Sequence, residues 1–277
     1  MFLDEAVSAA RRDAHERMAK RSVAELESII AGLATAPSLS QALRRDSGGI
    51  NAIAEIKRRS PSAGSIREGA GASELAGVYA GAGASAVSVL TCSYRFGGSL
   101  DDLREAACAR PALPLLRKDF ITEPYQVLEA RAFGASAVLL IAAALSPAML
   151  KELVSLAGDL GLDPLVEAHG EADLSSALES GSKLVGINNR DLATLTVDLA
   201  TTGRLLPYVP DEFVVVSESG ISRRSQVEWL EGLGVDAILV GEALMKAVDP
   251  GVKLRELLGG MPGTGHDSLR EVNESCG

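Results

Sequence analysis

The sequence predicts an α/β protein, a single (β/α)8 TIM barrel with extra N-terminal helices, and three observations carry that prediction. The first is a repeated grammar of glycine, short linker and buried apolar run. It occurs in Gly83-Ala-Ser-Ala-Val-Ser-Val-Leu90, Gly134-Ala-Ser-Ala-Val-Leu-Leu-Ile141, Gly181-Ser-Lys-Leu-Val-Gly-Ile187 and Gly234-Val-Asp-Ala-Ile-Leu-Val240. A glycine that follows a helix suits the left-handed C′ position, and an unbroken apolar run suits a strand covered on both faces. The second observation is the number of strands. Ala52 to Lys57, Leu115 to Lys118, Pro164 to Glu167 and Phe213 to Ser217 fit between the repeats, which makes eight strands with helices between most of them and favours closure over an open sheet. The third is that polar residues gather at the strand ends, the rim on which barrels of this class carry their chemistry.

Taken in order, residues Leu3 to Leu33 set apolar side chains at helical spacing among Arg, Glu and Lys, which predicts one or two amphipathic helices ahead of the first strand. Ser38 to Arg45 adds another, broken by Asp46-Ser47-Gly48-Gly49. The expected domain is 1–258, with a helical cap over 3–45. The tail 259–277, rich in Gly, Pro, Ser and charge, is expected to be disordered. Helices are predicted at Ser73 to Ala82, Pro124 to Phe133, Pro147 to Leu160, Glu171 to Glu179 and Ser222 to Leu233. Ser146-Pro147 supplies an N-cap followed by a proline at the first helical position, and Ser73 and Ser222 could cap theirs.

Composition excludes several functions. The chain of 277 residues carries a formal charge of −10, which argues against a nucleic-acid partner, because a phosphate backbone needs a basic face. Cys92, Cys108 and Cys276 have no metal-ligand spacing, so no metal site is expected. The longest apolar run, Ala137 to Leu145, is too short to span a bilayer, and Asp4 and Glu5 stand where a signal peptide would be basic. A cytoplasmic protein with no membrane partner is expected, a monomer or weak homo-oligomer. No Gly-x-Gly-x-x-Gly turn follows the first strand, which counts against dinucleotide binding.

The candidate site comes from charges placed where strands should be apolar. Glu55 and Lys57 are two residues apart and share a face, which in a barrel strand can point inward. Lys118 and Asp119 close the third strand, Glu167 the fifth, Asn188 and Arg190 the sixth, and Glu218 and Ser219 the seventh. Each has a structural reading too: Glu55 with Lys57 or Lys118 with Asp119 as ion pairs, Arg190 holding Asp191, Asn188 satisfying loop backbone. His169 reads as a loop residue that nothing pairs. Convergence on one rim favours a site. Gly220 and Gly241, just beyond the last two strands, let an anion approach the backbone closely, as a phosphate site there requires.

At these positions the sequence resembles indole-3-glycerol phosphate synthase. Ala54-Glu-Ile-Lys-Arg-Arg-Ser-Pro-Ser62, Ser88-Val-Leu-Thr91 with Phe96-Gly-Gly-Ser99, Leu116-Arg-Lys-Asp-Phe-Ile121, Leu165-Val-Glu167, Gly186-Ile-Asn-Asn-Arg-Asp-Leu192, Ser217-Glu-Ser-Gly-Ile221 and Leu239-Val-Gly-Glu-Ala-Leu-Met245 follow its strand-end motifs in order. The resemblance implies conversion of 1-(2-carboxyphenylamino)-1-deoxyribulose 5-phosphate, a phosphosugar, to indole-3-glycerol phosphate in tryptophan biosynthesis, with loss of carbon dioxide and water and no cofactor. It makes Lys118 the general acid at the ketone, its pKa lowered by burial and neighbouring cations, and Glu167 the acid or base of dehydration. Lys57 and Arg190 would face the substrate carboxylate, and Glu55 and Asn188 would orient Lys57 and the reacting hydroxyl. Glu218, Ser219 and Phe96 would extend the wall, and Ser60, Gly220, Gly241 and Glu242 would surround the phosphate. The chain departs from many relatives at Cys92 and Ser93, where they carry acidic residues, at Ala63, where they have lysine, and at Glu242, where some have a phosphate-touching serine. Two other readings compete: a phosphoribosylanthranilate isomerase, which needs a cysteine and aspartate pair, and a catalytically silent phosphosugar-binding paralogue, which should have lost Lys118 or Glu167.

Overall fold

The computed structural model describes residues 2–260 except 46–47, 61–63, 68 and 110–112. The disordered tail expected over 259–277 therefore lies, from residue 261 on, outside the described residues. Three helices come first: α1 (Phe2–Met18), α2 (Val23–Ala31) and α3 (Leu39–Leu43). Eight parallel strands then close into a barrel: β1 (Asn51–Ile56), β2 (Ala86–Leu90), β3 (Leu115–Lys118), β4 (Ala137–Ile141), β5 (Asp163–Ala168), β6 (Leu184–Asn188), β7 (Val214–Glu218) and β8 (Ala237–Val240). Each strand pairs with its neighbours in sequence, and β8 returns to β1 with Ile53 opposite Leu239. Around them lie α4 (Ala72–Gly81), α5 (Leu100–Ala109), α6 (Pro124–Ala132), α7 (Pro147–Asp159), α8 (Glu171–Leu178), α9 (Ala200–Leu205), α10 (Arg224–Leu233), α11 (Glu242–Lys246) and α12 (Pro250–Leu257). A short antiparallel ribbon joins 59–60 to 64–65 after β1. Among the described residues no helix is long and apolar enough to cross a membrane.

The glycines that open each repeat sit where the sequence puts them. Gly83, Gly134, Gly181 and Gly234 have φ between 92° and 98°, a left-handed conformation that L side chains resist. Ser146 caps α7 by accepting the Met149 N–H, with Pro147 next. Two expected caps are not used. Gly71 is the N-cap of α4, and α10 starts after Arg223, where the Gln226 side chain accepts the backbone N–H groups of Ser222 and Arg223. The first strand ends at Ile56, one residue short of the predicted Lys57, and the seventh runs one residue further, through Glu218.

Strand alternation divides the core in two. Even-numbered residues of β1 (Ala52, Ala54, Ile56) and odd-numbered residues of β6 (Val185, Ile187) pack outward against the helices. Their alternates, Ile53, Leu116, Leu139, Leu165, Leu184, Val216 and Leu239, fill the barrel interior. Continuing the interior rows to the C-terminal ends of the strands reaches Glu55 and Lys57, Lys118, Glu167, Asn188, Glu218 and Gly241. The period of two delivers these polar groups to the mouth of the barrel.

Candidate active site

At that mouth the strands and loops enclose a cavity of about 480 Å3, lined by Glu55, Lys57, Lys118, Glu167, Asn188, Arg190, Glu218, Ser219, Gly220, Gly241 and Glu242 among others. A volume of this order suits a small-molecule ligand. Glu55, Glu167 and Glu218 are buried. Lys57 Nζ lies 2.5 Å from Glu55 Oε1, and Lys118 Nζ bridges two strands, 3.1 Å from Glu167 Oε2 and 2.7 Å from Glu218 Oε2. Two glycines make room for these carboxylates. A Cβ at residue 186 would collide with Glu218 Oε1, and one at residue 241 with Glu55 Oε1. Gly241 has φ −128°, so crowding and not backbone conformation demands glycine there.

Of the local pairings suggested by the sequence, Glu55 with Lys57 forms and two others do not. Lys118 does not pair with Asp119, which points the other way and accepts from Arg117 (2.9 Å), Thr91 Oγ1 (2.7 Å) and the Phe120 N–H (2.9 Å). Arg190 does not hold Asp191; its guanidinium donates to the Leu195 carbonyl and lies 3.8 Å from Glu242. Asn188 Oδ1 does accept a loop N–H, that of Arg190, while its side chain stays at the rim. His169 is not alone: its Nε2 is 3.1 Å from Glu167 Oε1 and its Nδ1 3.6 Å from Asp173 Oδ2.

The electrostatics follow from this crowding. Burial alone would lower the Lys118 pKa, but Glu167, Glu218 and Glu55 outweigh it and hold the ammonium charged well above the usual lysine range. The sequence-based expectation of a lowered value rested on burial and neighbouring cations; the lysine is largely buried, but its neighbours are carboxylates. Burial drives Glu167 upward, yet Lys118 and His169 prevail and keep it below the usual carboxylate range. Glu218 goes the other way. Burial raises it, Lys118 opposes, Glu167 raises it again, and the result is about 7.

Aromatic rings close one side. Phe2 of α1, Phe96 and Phe120 meet with ring centroids 6.1–6.4 Å apart, so the N-terminal helix contributes a wall of the cavity. On the opposite side Ser219 (φ 68°) and Gly220 (φ 82°) turn the chain after β7. The serine is held in this sparsely populated region by Asn189, whose Nδ2 donates to the carbonyls of Glu218 (2.8 Å) and Ser219 (3.1 Å). Lys246, one turn into α11, also lines the cavity and pairs with Glu242 at 2.6 Å. Ser60 belongs to the ribbon after β1, and its side chain lies outside the described residues. Sequence reasoning passed over Asn189, Lys246, Phe2, Gly186 and the contacts of His169. The spacing Glu242 to Lys246, one helical turn, was the signal available for the lysine.

The family model of indole-3-glycerol phosphate synthase matches residues 3–257. The chain belongs to that family. An indole-3-glycerol phosphate synthase of Dehalococcoides mccartyi (strain CBDB1) is 48% identical over 261 residues, covering 93% of this chain and 100% of that protein. One from Bordetella pertussis is 50% identical over 211 residues, covering 76% of this chain and 80% of that protein. Among solved structures, the 3-hexulose-6-phosphate synthase of Salmonella typhimurium superposes with a TM-score of 0.62 at 16% identity, over 76% of this chain and 97% of that one. That likeness is one of fold. In this member of the synthase family Glu55, Lys57, Lys118, Glu167, Asn188, Arg190, Glu218 and Ser219 all line the cavity, while Asn189 braces the turn after β7 from behind.

Proposed function

We propose that the protein is an indole-3-glycerol phosphate synthase acting on 1-(2-carboxyphenylamino)-1-deoxyribulose 5-phosphate, a phosphosugar, and that the observation carrying this reading is Lys118 Nζ held at the cavity floor between Glu167 and Glu218. Ring closure makes the ring carbon that bears the carboxylate attack the ketone carbon. The ketone oxygen then needs a proton, and Lys118, charged and lining the cavity, is the donor this reading assigns. Carbon dioxide leaves with its bonding electrons returned to the ring. In the last stage the new hydroxyl departs as water after protonation, while a base removes the proton from the adjacent carbon, which closes the indole double bond. Glu167, ionised and on the same ammonium, is the base this assignment requires. Every step moves protons and carbon bonds without net oxidation, so the reaction calls for no redox partner.

The substrate brings a carboxylate and a phosphate. Lys57 and Arg190 are placed to receive the carboxylate, with Glu55 orienting Lys57 and Asn188 the reacting hydroxyl. The phosphate is assigned to Ser60, Gly220, Gly241 and Glu242, and the last three line the cavity together with Lys246, which adds a cation. Phe2, Phe96 and Phe120 cover the aromatic ring, and Glu218 and Ser219 complete the wall. Turnover is tested directly by adding the carboxyphenylamino-deoxyribulose phosphate to purified protein. Indole fluorescence should appear with one equivalent of carbon dioxide, and its absence would refute the assignment.

A further inference from the structure

Two carboxylates, Glu167 and Glu218, share the one ammonium of Lys118, and their surroundings are not alike. Both Glu167 oxygens face cations: Oε2 is 3.1 Å from Lys118 Nζ, and Oε1 is 3.1 Å from His169 Nε2. Glu218 has only Oε2 on Lys118, at 2.7 Å; its Oε1 is buried against Gly186 and has no hydrogen-bond partner among the described residues. A buried carboxylate oxygen without a donor is costly, and adding a proton relieves that cost. His169 sits one residue past β5, just before α8. Its Nδ1 is 3.6 Å from Asp173 Oδ2, and the same oxygen accepts the His169 backbone N–H at 3.1 Å. These side-chain contacts are not linear hydrogen bonds, so their attraction is that of charge, and an imidazolium between two carboxylates satisfies it.

Resting on the synthase reading, the geometry points to His169 as a positioning residue: seated between Glu167 and Asp173, it occupies Glu167 Oε1, so that of the two carboxylates sharing Lys118, Glu167 keeps the charge and Glu218 takes the proton. This fixes the division of labour before substrate arrives, with Glu167 as the base and Glu218 as a reserve of one proton. The groups that bear on this are few. His169 is faced by Glu167 from β5, Asp173 from α8 and, at longer range, Asp191 from the loop after β6; Glu167 is faced by Lys118, Glu218 and Asn188 as well. The balance agrees with His169 being raised to about 10: burial lowers it and the two carboxylates overcome burial.

The chain has three histidines, His15, His169 and His266, so imidazole NMR on the intact protein isolates the relevant signal, assigned by its loss in His169→Gln. In the unmodified protein His169 should remain an imidazolium at pH 8, and in Glu167→Gln it should titrate at lower pH. In turnover assays His169→Gln should move the acid limb of the kcat profile to higher pH by about one unit, since Glu167 loses a cation that keeps it ionised. A histidine with only a structural role would lower kcat and melting temperature evenly across pH and leave that limb in place. A neutral His169 at pH 7, or a superimposable limb in the variant, overturns the role. If the unmodified protein makes no product, the synthase reading fails first and the role falls with it, whereas turnover with an unmoved limb removes the role alone.

Discussion

Glu55 Oε1 occupies the space that a Cβ on residue 241 would take, so the strand-end pair of β1 and the turn after β8 are fitted to one another. The Gly241→Ala change should therefore displace Glu55 and with it Lys57, 2.5 Å away. Loss is expected in kcat and KM together, at least about tenfold in kcat/KM, where a change confined to phosphate contact would alter KM alone. Steady-state kinetics of the alanine variant check this, and a pure KM effect would contradict it.

Glu242 carries the second expectation. Its side chain lines the cavity, 2.6 Å from Lys246 and 3.8 Å from Arg190, and those cations hold its carboxyl below the usual range. It competes with an incoming phosphate for both cations. In Glu242→Ser the KM should stay equal or fall, and inorganic phosphate should inhibit at lower concentration. A raised KM with weaker phosphate inhibition would show that the phosphate lies elsewhere.

Much of this was readable along the chain because alternation in a strand is rigid. Once Ile53, Leu116, Leu165 and Val216 are taken as interior, Glu55, Lys118, Glu167 and Glu218 must follow them. The partners were not readable. Lys118 meets Glu167 and Glu218 across 49 and 100 residues of sequence, a juxtaposition that only barrel closure creates. The same closure explains why Lys118 is raised where local reasoning expected it lowered. His169 was missed for a local reason: it lies past the strand end, where alternation no longer says which way a side chain turns, and its partner Asp173 is supplied by the first turn of α8. Gly186 was read as part of an apolar run, and only the position of Glu218 gives it a purpose.

A pH dependence of stability follows from Glu218. Its folded pKa, about 7, lies above the ordinary 4.5, so the fold favours the protonated form. The stabilisation is complete below pH 4.5, shrinks as pH rises, and is gone once pH passes 7. Glu218→Gln, which cannot ionise, should gain melting temperature relative to the unmodified protein across that window and hold a constant advantage above it. Melting curves at several pH values check this, and a difference that is constant or shrinks with rising pH would contradict it.

Replacing Lys118 by methionine, which keeps the aliphatic stem and removes the acid, leaves Glu167 and Glu218 without their shared cation. Both carboxylates should then retain protons to higher pH, so Lys118→Met is expected to be less stable at pH 8 than at pH 6, relative to the unmodified protein. Thermal melts at the two pH values read this, and equal losses at both would mean that the pair does not depend on the lysine for its charge.

The most direct measurement is single-turnover formation of indole-3-glycerol phosphate by the unmodified protein and by Lys118→Met, run at pH 6, where the variant is expected to be the more stable. The unmodified protein should form the product, and the variant should bind the carboxyphenylamino-deoxyribulose phosphate yet form it roughly a hundredfold or more slowly, because the acid assigned to the ketone oxygen is gone. Comparable rates in the two proteins, or no product from either, would contradict the assignment of Lys118 as the acid around which this barrel is built.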